Sequence, residues 1–422
     1  MNAKQINIFL KVLFAAVFMV FIAALAFRLP LGDKVWGHAS YGRDIIKNIG
    51  LTDKVSFSYA AESPRDKKTW LFDAFTYSVL KLSESMQSLF WFRMLAFSLT
   101  AFILLLVIFK RQQGRYISIT LPAAIFAFFL MQPYFTWSPV VFSALFISCF
   151  LYVLERKPVK RNRGLFYSLP FISLLWANIH YSAFIGFLLM FFYLIYDFID
   201  TREVEEKKES YDFRLYLMSL AGVGAFTLIN PLFYNAPVFS AREIVSGPWL
   251  EGHIYKEPSF YFSLFYTYIA VTAAVLLYNL KGADIGRRAE FVKDALLVVV
   301  FMAAAFKDAA YIPYFLIVSA PVTAYYVYLV FRWSFAWPRQ WTERDLAAIK
   351  NYIYVIMIAA LGVYSYFGFT ENRQQVFPSG PVNYIAGTRV PASLFHQKKY
   401  GDYLYYYLYP DYKIFMSSRA QY

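Results

Sequence analysis

One cysteine, Cys149, and four histidines are all the soft-ligand chemistry that 422 residues offer. A lone thiol inside an apolar stretch excludes a disulfide framework and a thiolate metal site, and it leaves the redox compartment unread. Charge is also scarce, at 16% of residues. There is no glycine-rich phosphate loop, no His-Glu-x-x-His pair, no internal repeat, no low-complexity tract and no inverted-repeat pattern, so P-loop, zincin and solenoid readings fall away. The basic excess of +14 resides in short loops between apolar blocks. It therefore reads as membrane orientation and not as nucleic-acid binding.

What is abundant is apolar surface: 59% of the chain is hydrophobic, arranged in runs of bilayer length. A hydrocarbon layer of roughly 30 Å needs about 20 apolar residues as helix. The spacing predicts spans at 8–28, 87–109, 117–133, 137–154, 165–178, 181–198, 213–232, 259–279, 291–306, 309–331 and 351–369. The fold class is thus an all-α polytopic membrane protein of about eleven spans. The first run carries an Ala24-Leu25-Ala26 triplet that suits signal cleavage, but it is long for a signal core, and the alternation of loops works with it retained.

Basic loops at 110–115, 155–163, 202–214, 281–293 and 332–350 face the cytoplasm by the positive-inside rule. The opposite face then collects 29–86, 133–137, 178–180, 231–258, 307–308 and the tail 370–422. Parity forbids "WLFDAFTYSVLKL" (70–82) from crossing. Its Leu71, Phe75, Val79 and Leu82 recur at helical spacing, which predicts an interfacial helix with that face on the bilayer.

The outward loops concentrate polar side chains. "GDKVWGHASYGRDIIKNIG" (32–50) follows the first span and brings Asp33, Trp36, His38, Tyr41, Arg43 and Asp44 close to the membrane surface. A partly desolvated carboxylate there suits a general base toward a hydroxyl. The competing reading makes Asp33 the N-cap of a helix starting at Lys34 and Asp44 a solvated partner of Arg43 or Lys47. Further groups sit where spans emerge: Asn178 and His180, Asn230, Glu251, His253 and Glu257, and Lys307 with Asp308. Asp33, His38 and a third ligand are the candidates for a divalent metal, though no ligand spacing is diagnostic and the sequence requires no cofactor. Arg93 lies inside a predicted span, where a guanidinium either meets a lipid phosphate or snorkels to the interface.

These residues carry a resemblance. "LGDKVWGHASYGRDIIKNIGLTDKVSFSY" followed by "WLFDAFTYSVLKL", then "LLWANIHYSAFIG", "TLINPLFY", "FPSGPVNYI" and "YGDYLYYYLYPDYKIFMSSRAQY" resemble, in order and over nearly the full length, a bacterial branch of the GT-C glycosyltransferase superfamily. These proteins are relatives of the dolichyl-phosphate-mannose protein mannosyltransferases. The resemblance implies inverting sugar transfer from a polyprenyl-phosphate carrier on the periplasmic face of the bacterial inner membrane, with the N-terminus cytoplasmic and the C-terminus periplasmic. It makes Asp33 the base, with Asp44 as second choice. Trp36-Gly37 stands where the branch carries two tryptophans, and "LTDKVSFSY" lacks its proline.

On this reading 1–369 is a transmembrane domain and 370–422 an outward segment that relatives extend into a soluble domain. Arg93, Lys307 and His180 are the expected phosphate contacts. Trp36, His38, Tyr41, Asn178 and Glu251 are the expected substrate contacts. The partners are the lipid-linked donor, the bilayer, an unspecified acceptor and a partner subunit on the tail, with no nucleic acid. The alternative is a non-catalytic scaffold or glycan-presenting subunit built on "YGDYLYYYLYPDY", whose seven tyrosines in thirteen residues offer amphipathic contact area. A transporter is disfavoured by the lack of a mid-membrane charge or a broken-helix pair.

Overall fold

A computed structural model describes residues 32, 34–47, 54–55, 63–64, 67–111, 117–203, 211–235, 238, 259–280, 285–334, 377–388 and 393–416. The predicted spans 8–28 and 351–369, together with Asp33, Glu251, His253 and Glu257, lie outside the described residues.

The protein is mostly helical. Helix α1 is Lys34–Lys47, followed by a two-stranded antiparallel pair, Lys54–Val55 against Ser63–Pro64, with Lys54 opposite Pro64. Next come α2 (Trp70–Ser83), α3 (Met86–Arg111), α4 (Ile117–Met131), α5 (Pro139–Leu154), α6 (Arg163–Ile179), α7 (Phe184–Glu203) and α8 (Phe213–Thr227). The bundle closes with α9 (Ser259–Leu280), α10 (Ile285–Lys307) and α11 (Ile312–Ser334), and the tail forms α12 (Ser379–Thr388) and α13 (Gly401–Leu408). Each span predicted between 87 and 331 coincides with one of these helices.

Among the described residues, three helical stretches, Met86–Arg111, Ser263–Leu280 and Ala309–Val330, are long and apolar enough to cross a membrane. Pro139–Leu154, Tyr181–Asp197 and Phe213–Thr227 are shorter apolar helices. Helix α11 is the hub: it packs against α4, α10, α9, α5 and α3, and nearly all of it is buried. Helix α3 instead turns Trp91, Leu95, Leu99 and Phe102 outward, an exposed apolar stripe suited to lipid.

Ion pairs lock one end of the bundle. Arg111 ends α3 and reaches Glu155 Oε1 at 2.6 Å and both carboxylate oxygens of Asp294 at 3.0 Å. Tyr193 donates to Glu155 at 2.5 Å, and Lys293 Nζ lies 3.4 Å from Asp294 and 4.2 Å from the Tyr193 ring centroid. Four helices, α3, α5, α7 and α10, are thereby tied beside the basic loops. The cluster balances Arg111 and Lys293 against Glu155 and Asp294, so each buried charge meets its opposite.

At the other end α1 and α2 lie across the bundle. Every residue of α1 from Val35 to Asp44 is buried, because α2 covers one side and α13 another. The crossing is set by Gly42: a Cβ there would stand 1.9 Å from the Asp73 carbonyl oxygen and 2.8 Å from Tyr77 Cβ. Helix α2 buries Phe72, Asp73, Thr76, Tyr77 and Leu80, and the stripe expected on the bilayer is mostly taken up by the protein itself: Leu71, Phe75 and Val79 pack half-buried against the core, the Phe75 ring meeting Phe92, Trp137 and Phe142, and of the four only Leu82 is exposed, at 86%. Backbone cannot yield as a side chain can, so Gly42→Ala is expected to cost the upper end of the ~1–3 kcal/mol typical of overpacking, or more. A thermal unfolding midpoint unchanged from wild type would contradict this crossing.

Candidate functional site

The α1–α2 crossing buries a polar pair that neither helix advertises alone. His38 Nδ1 lies 2.5 Å from Asp73 Oδ1, with both side chains almost wholly buried. Thr69 Oγ1 donates to Asp73 Oδ2 at 3.2 Å, and the edge of Phe72 packs on the imidazole at 4.6 Å. A buried carboxylate on Nδ1 fixes which ring nitrogen carries the proton and how the ring is turned.

Beside this pair the bundle helices contribute their ends. His180, at the α6–α7 junction, has Nδ1 within 3.0 Å of Ser143 Oγ and 2.6 Å of Ser182 Oγ, and Trp176 Nε1 donates to the same two hydroxyls. Asn178 joins three elements: its Oδ1 accepts from Trp70 Nε1 at 2.9 Å, and its Nδ2 donates to the carbonyls of Leu174 and Ile229. Trp137 Nε1 donates to Thr76 Oγ1 at 3.0 Å. Burial lowers the His180 pKa to about 3, and the neighbouring His38 and Lys68 oppose its protonation further. His180 is therefore neutral at pH 7.

The tail covers the opposite side of α1. Arg43 donates to the carbonyls of Tyr406 at 2.6 Å and Tyr405 at 3.1 Å, and its guanidinium lies 5.4 Å from the Tyr405 ring centroid. Asp44 is buried and not solvated: it accepts the Tyr405 hydroxyl and lies 3.6 Å from Arg43 Nε. Burial, and then Asp44, push the Tyr405 hydroxyl far above its ordinary range, so it remains a donor. Tyr41 is buried edge-on to Tyr405 at 6.0 Å. Gly37 is the contact point, since a Cβ there would stand 2.7 Å from Asp402 Oδ2.

The structure therefore gathers His38, His180 and Asn178 on one end of the bundle and puts Trp36, Tyr41 and Asp44 under the tail. Arg93 is buried within α3, its guanidinium 5.2 Å from the Phe90 ring centroid. Lys307 ends α10, thirteen residues beyond Asp294, or about 20 Å along the helix at 1.5 Å per residue. That rise carries it away from the ion-paired end. Sequence pattern alone does not distinguish Asp73 or Lys68. Asp73 stands opposite the Leu71–Phe75–Val79 stripe, which reads as the solvent side until Phe72, Tyr77 and Leu80 are noticed as a second apolar face. Among the described residues no three His, Cys, Asp or Glu side chains group as a metal site.

No protein-family description matches the sequence, and no curated protein does. Solved structures do. An archaeal oligosaccharyltransferase, AglB from Archaeoglobus fulgidus in complex with an inhibitory peptide and a dolichol-phosphate, aligns at 11% identity and a TM-score of 0.58, over 97% of this chain and 65% of that one. The Archaeoglobus fulgidus oligosaccharyltransferase tethered to an acceptor peptide containing the NVT sequon aligns at 12% identity and a TM-score of 0.55, over 97% and 60%. Its complex with Zn and sulfate gives 11% and 0.52, over 96% and 62%. The chain shares its fold with these oligosaccharyltransferases and spans a little under two thirds of their length.

The neutral His180 has a thermodynamic signature. Its folded pKa of about 3 lies below the ordinary 6.5, so the unfolded chain binds that proton first. The contribution is complete above pH 6.5 and shrinks as pH falls toward 3, by about 1.4 kcal/mol per pH unit. We expect His180→Gln to flatten the acid limb of a stability–pH profile, and a slope identical to wild type would show that His180 is not held neutral.

Proposed function

We propose that the protein is an inverting GT-C glycosyltransferase that moves a sugar from a polyprenyl-phosphate-linked donor to an acceptor. The observation that carries this reading is the convergence of His38–Asp73, His180 and Asn178 at the end of the bundle where the first loop lies, on a fold shared with an oligosaccharyltransferase. The first-loop position suits chemistry at a membrane surface, where the donor headgroup emerges.

In this proposal the chain has about eleven spans, including 8–28 and 351–369, in a bacterial inner membrane. The N-terminus is cytoplasmic, and loop 29–86 and the segment 370–422 face the periplasm. The basic loops beside Arg111 and Glu155 then lie inside. Asp33 takes the proton from the acceptor hydroxyl. The acceptor oxygen bonds to the anomeric carbon from the face opposite the leaving group, and the bond from that carbon to the phosphate oxygen breaks with its electron pair leaving on the lipid phosphate.

Arg93 and Lys307 are assigned to the phosphate as cations. His180, being neutral, contributes a hydrogen bond and no charge. Glu251, Asn178, Tyr41 and Trp36 are assigned to substrate, and Asp44 is the second choice of base. A divalent metal, if used, would be held by Asp33 and His38, with Asp73 orienting the imidazole. The scaffold reading draws on the tail, where Tyr384 at 70% and Phe395 at 81% exposure present apolar surface.

The test is sugar transfer and polyprenyl-phosphate binding by purified protein, wild type against Asp33→Asn. The expected result is retained binding with turnover reduced about 10²–10⁴-fold, the usual worth of a positioned base. A wild type that neither binds the lipid nor transfers sugar would replace this proposal with the scaffold.

A further inference from the structure

One lysine stands among the outward histidines. Lys68 lies just before α2 and is half-buried. Its Nζ is 5.9 Å from the centroid of the Tyr181 ring, and that ring is 4.4 Å from the imidazole of His180. Tyr181 opens the short turn Tyr181–Ala183 that joins α6 to α7. The charge of Lys68 reaches His180: after burial, His38 and Lys68 are what oppose protonation of that imidazole. The segments that carry these side chains are fixed. Trp70, two residues after Lys68, donates to Asn178 Oδ1, and Thr69 donates to Asp73. Ser143 and Ser182 hold His180 Nδ1, and the Nε2 edge makes no hydrogen bond to a described residue.

This setting differs from those of the cations already assigned. Arg93 is 1% exposed within α3 and packed on Phe90, and Lys307 ends α10. Lys68 keeps part of its side chain in contact with solvent, so a ligand reaches it without repacking a helix. A cation–π contact at a half-exposed site is weaker than a charge-assisted hydrogen bond to phosphate, so the Tyr181 face steadies the side chain without keeping it from an anion. The carboxylate at this junction, Asp73, is engaged at one oxygen by His38 and at the other by Thr69. A flexible ammonium beside a neutral imidazole suits a compact anion with several acceptor oxygens. That describes a phosphate ester better than a planar carboxylate, whose usual partner is the arginine fork.

We propose that Lys68, beside His180 and Tyr181, is the cation of an anion-binding subsite that takes the phosphate group of a phosphate ester. The subsite rests on the glycosyl-transfer reading for its biological sense. Its ligand is either the phosphate of the lipid carrier or a water-soluble phosphate, and both present the same chemistry to Lys68.

The test uses the full chain in nanodiscs with four probes: polyprenyl phosphate, the uncharged polyprenol, a sugar phosphate and inorganic phosphate. Lys68→Met keeps the length of the side chain and removes its charge, Lys68→Arg restores the charge, and Lys81→Met removes a charge from the exposed far end of α2. Lys68→Met should weaken binding of a phosphate probe about tenfold, with polyprenol binding and the unfolding midpoint unchanged. Lys68→Arg should recover most of that loss, and Lys81→Met should match wild type. Loss confined to polyprenyl phosphate assigns the subsite to the lipid headgroup, and loss confined to the soluble probes assigns it to a free phosphate ester.

Wild-type affinity of Lys68→Met for every phosphate probe overturns the subsite, as does a wild type that binds none of them. An equal loss in Lys81→Met overturns it by reducing the effect to net charge, and an equal loss of polyprenol binding overturns it because phosphate is then not what Lys68 recognises. Lys68-dependent phosphate binding by a protein that transfers no sugar keeps the subsite and removes the enzyme reading. Sugar transfer by a protein whose phosphate binding is indifferent to Lys68 does the reverse, so the two failures are separable.

Discussion

The close approach of α1 to α2 at Gly42 is the constraint from which the outward end of the molecule follows. With no Cβ at that position, the backbone carbonyl of Asp73 can sit against α1, and only at that spacing do His38 and Asp73 meet at 2.5 Å. The same approach buries an α1 of mixed polarity that would otherwise have little reason to leave solvent. Three of its buried ionisable groups are answered: His38 by Asp73, Arg43 by two tail carbonyls, and Asp44 by Tyr405. Removing one member of such a buried arrangement leaves the other charged or polar and unsatisfied, so the assembly behaves as a unit.

The two ends of the bundle use polar chemistry differently. At the basic-loop end, Arg111, Glu155, Lys293 and Asp294 neutralise one another and tie four helices. The arrangement is closed, with each carboxylate spent on a neighbour. At the opposite end, the polar groups belong to helix ends, a loop helix and a tail. They are joined by indole hydrogen bonds from Trp70, Trp137 and Trp176. The closed network suits a foundation, and the more varied end suits recognition.

The apolar runs located the helices well: the segments from 87 to 331 match α3 to α11, of which three carry stretches long and apolar enough by themselves to cross a membrane. That 70–82 forms a helix was legible from Leu71, Phe75 and Val79, but not that these three would pack on the bundle instead of facing the bilayer; the GT-C resemblance agrees with the fold. The site was legible only in part. His38, His180, Asn178 and Trp36 drew attention as polar or aromatic residues near apolar blocks, yet Asp73 did not, because its burial depends on a crossing made by a glycine 31 positions earlier in the chain. Nor does local sequence show that Tyr405 belongs with Asp44 across more than 360 residues. Pattern reading finds faces, whereas pairings across the chain depend on packing.

The central claim is that the α1–α2 end of the bundle, roofed by the tail, receives a lipid-linked sugar. The most direct measurement is an experimental structure of the protein with sugar-charged polyprenyl phosphate bound. The account predicts the headgroup between α1–α2 and the His180 junction. A headgroup seated at the Arg111–Asp294 end, or a protein that takes up no lipid-linked sugar at all, would contradict it.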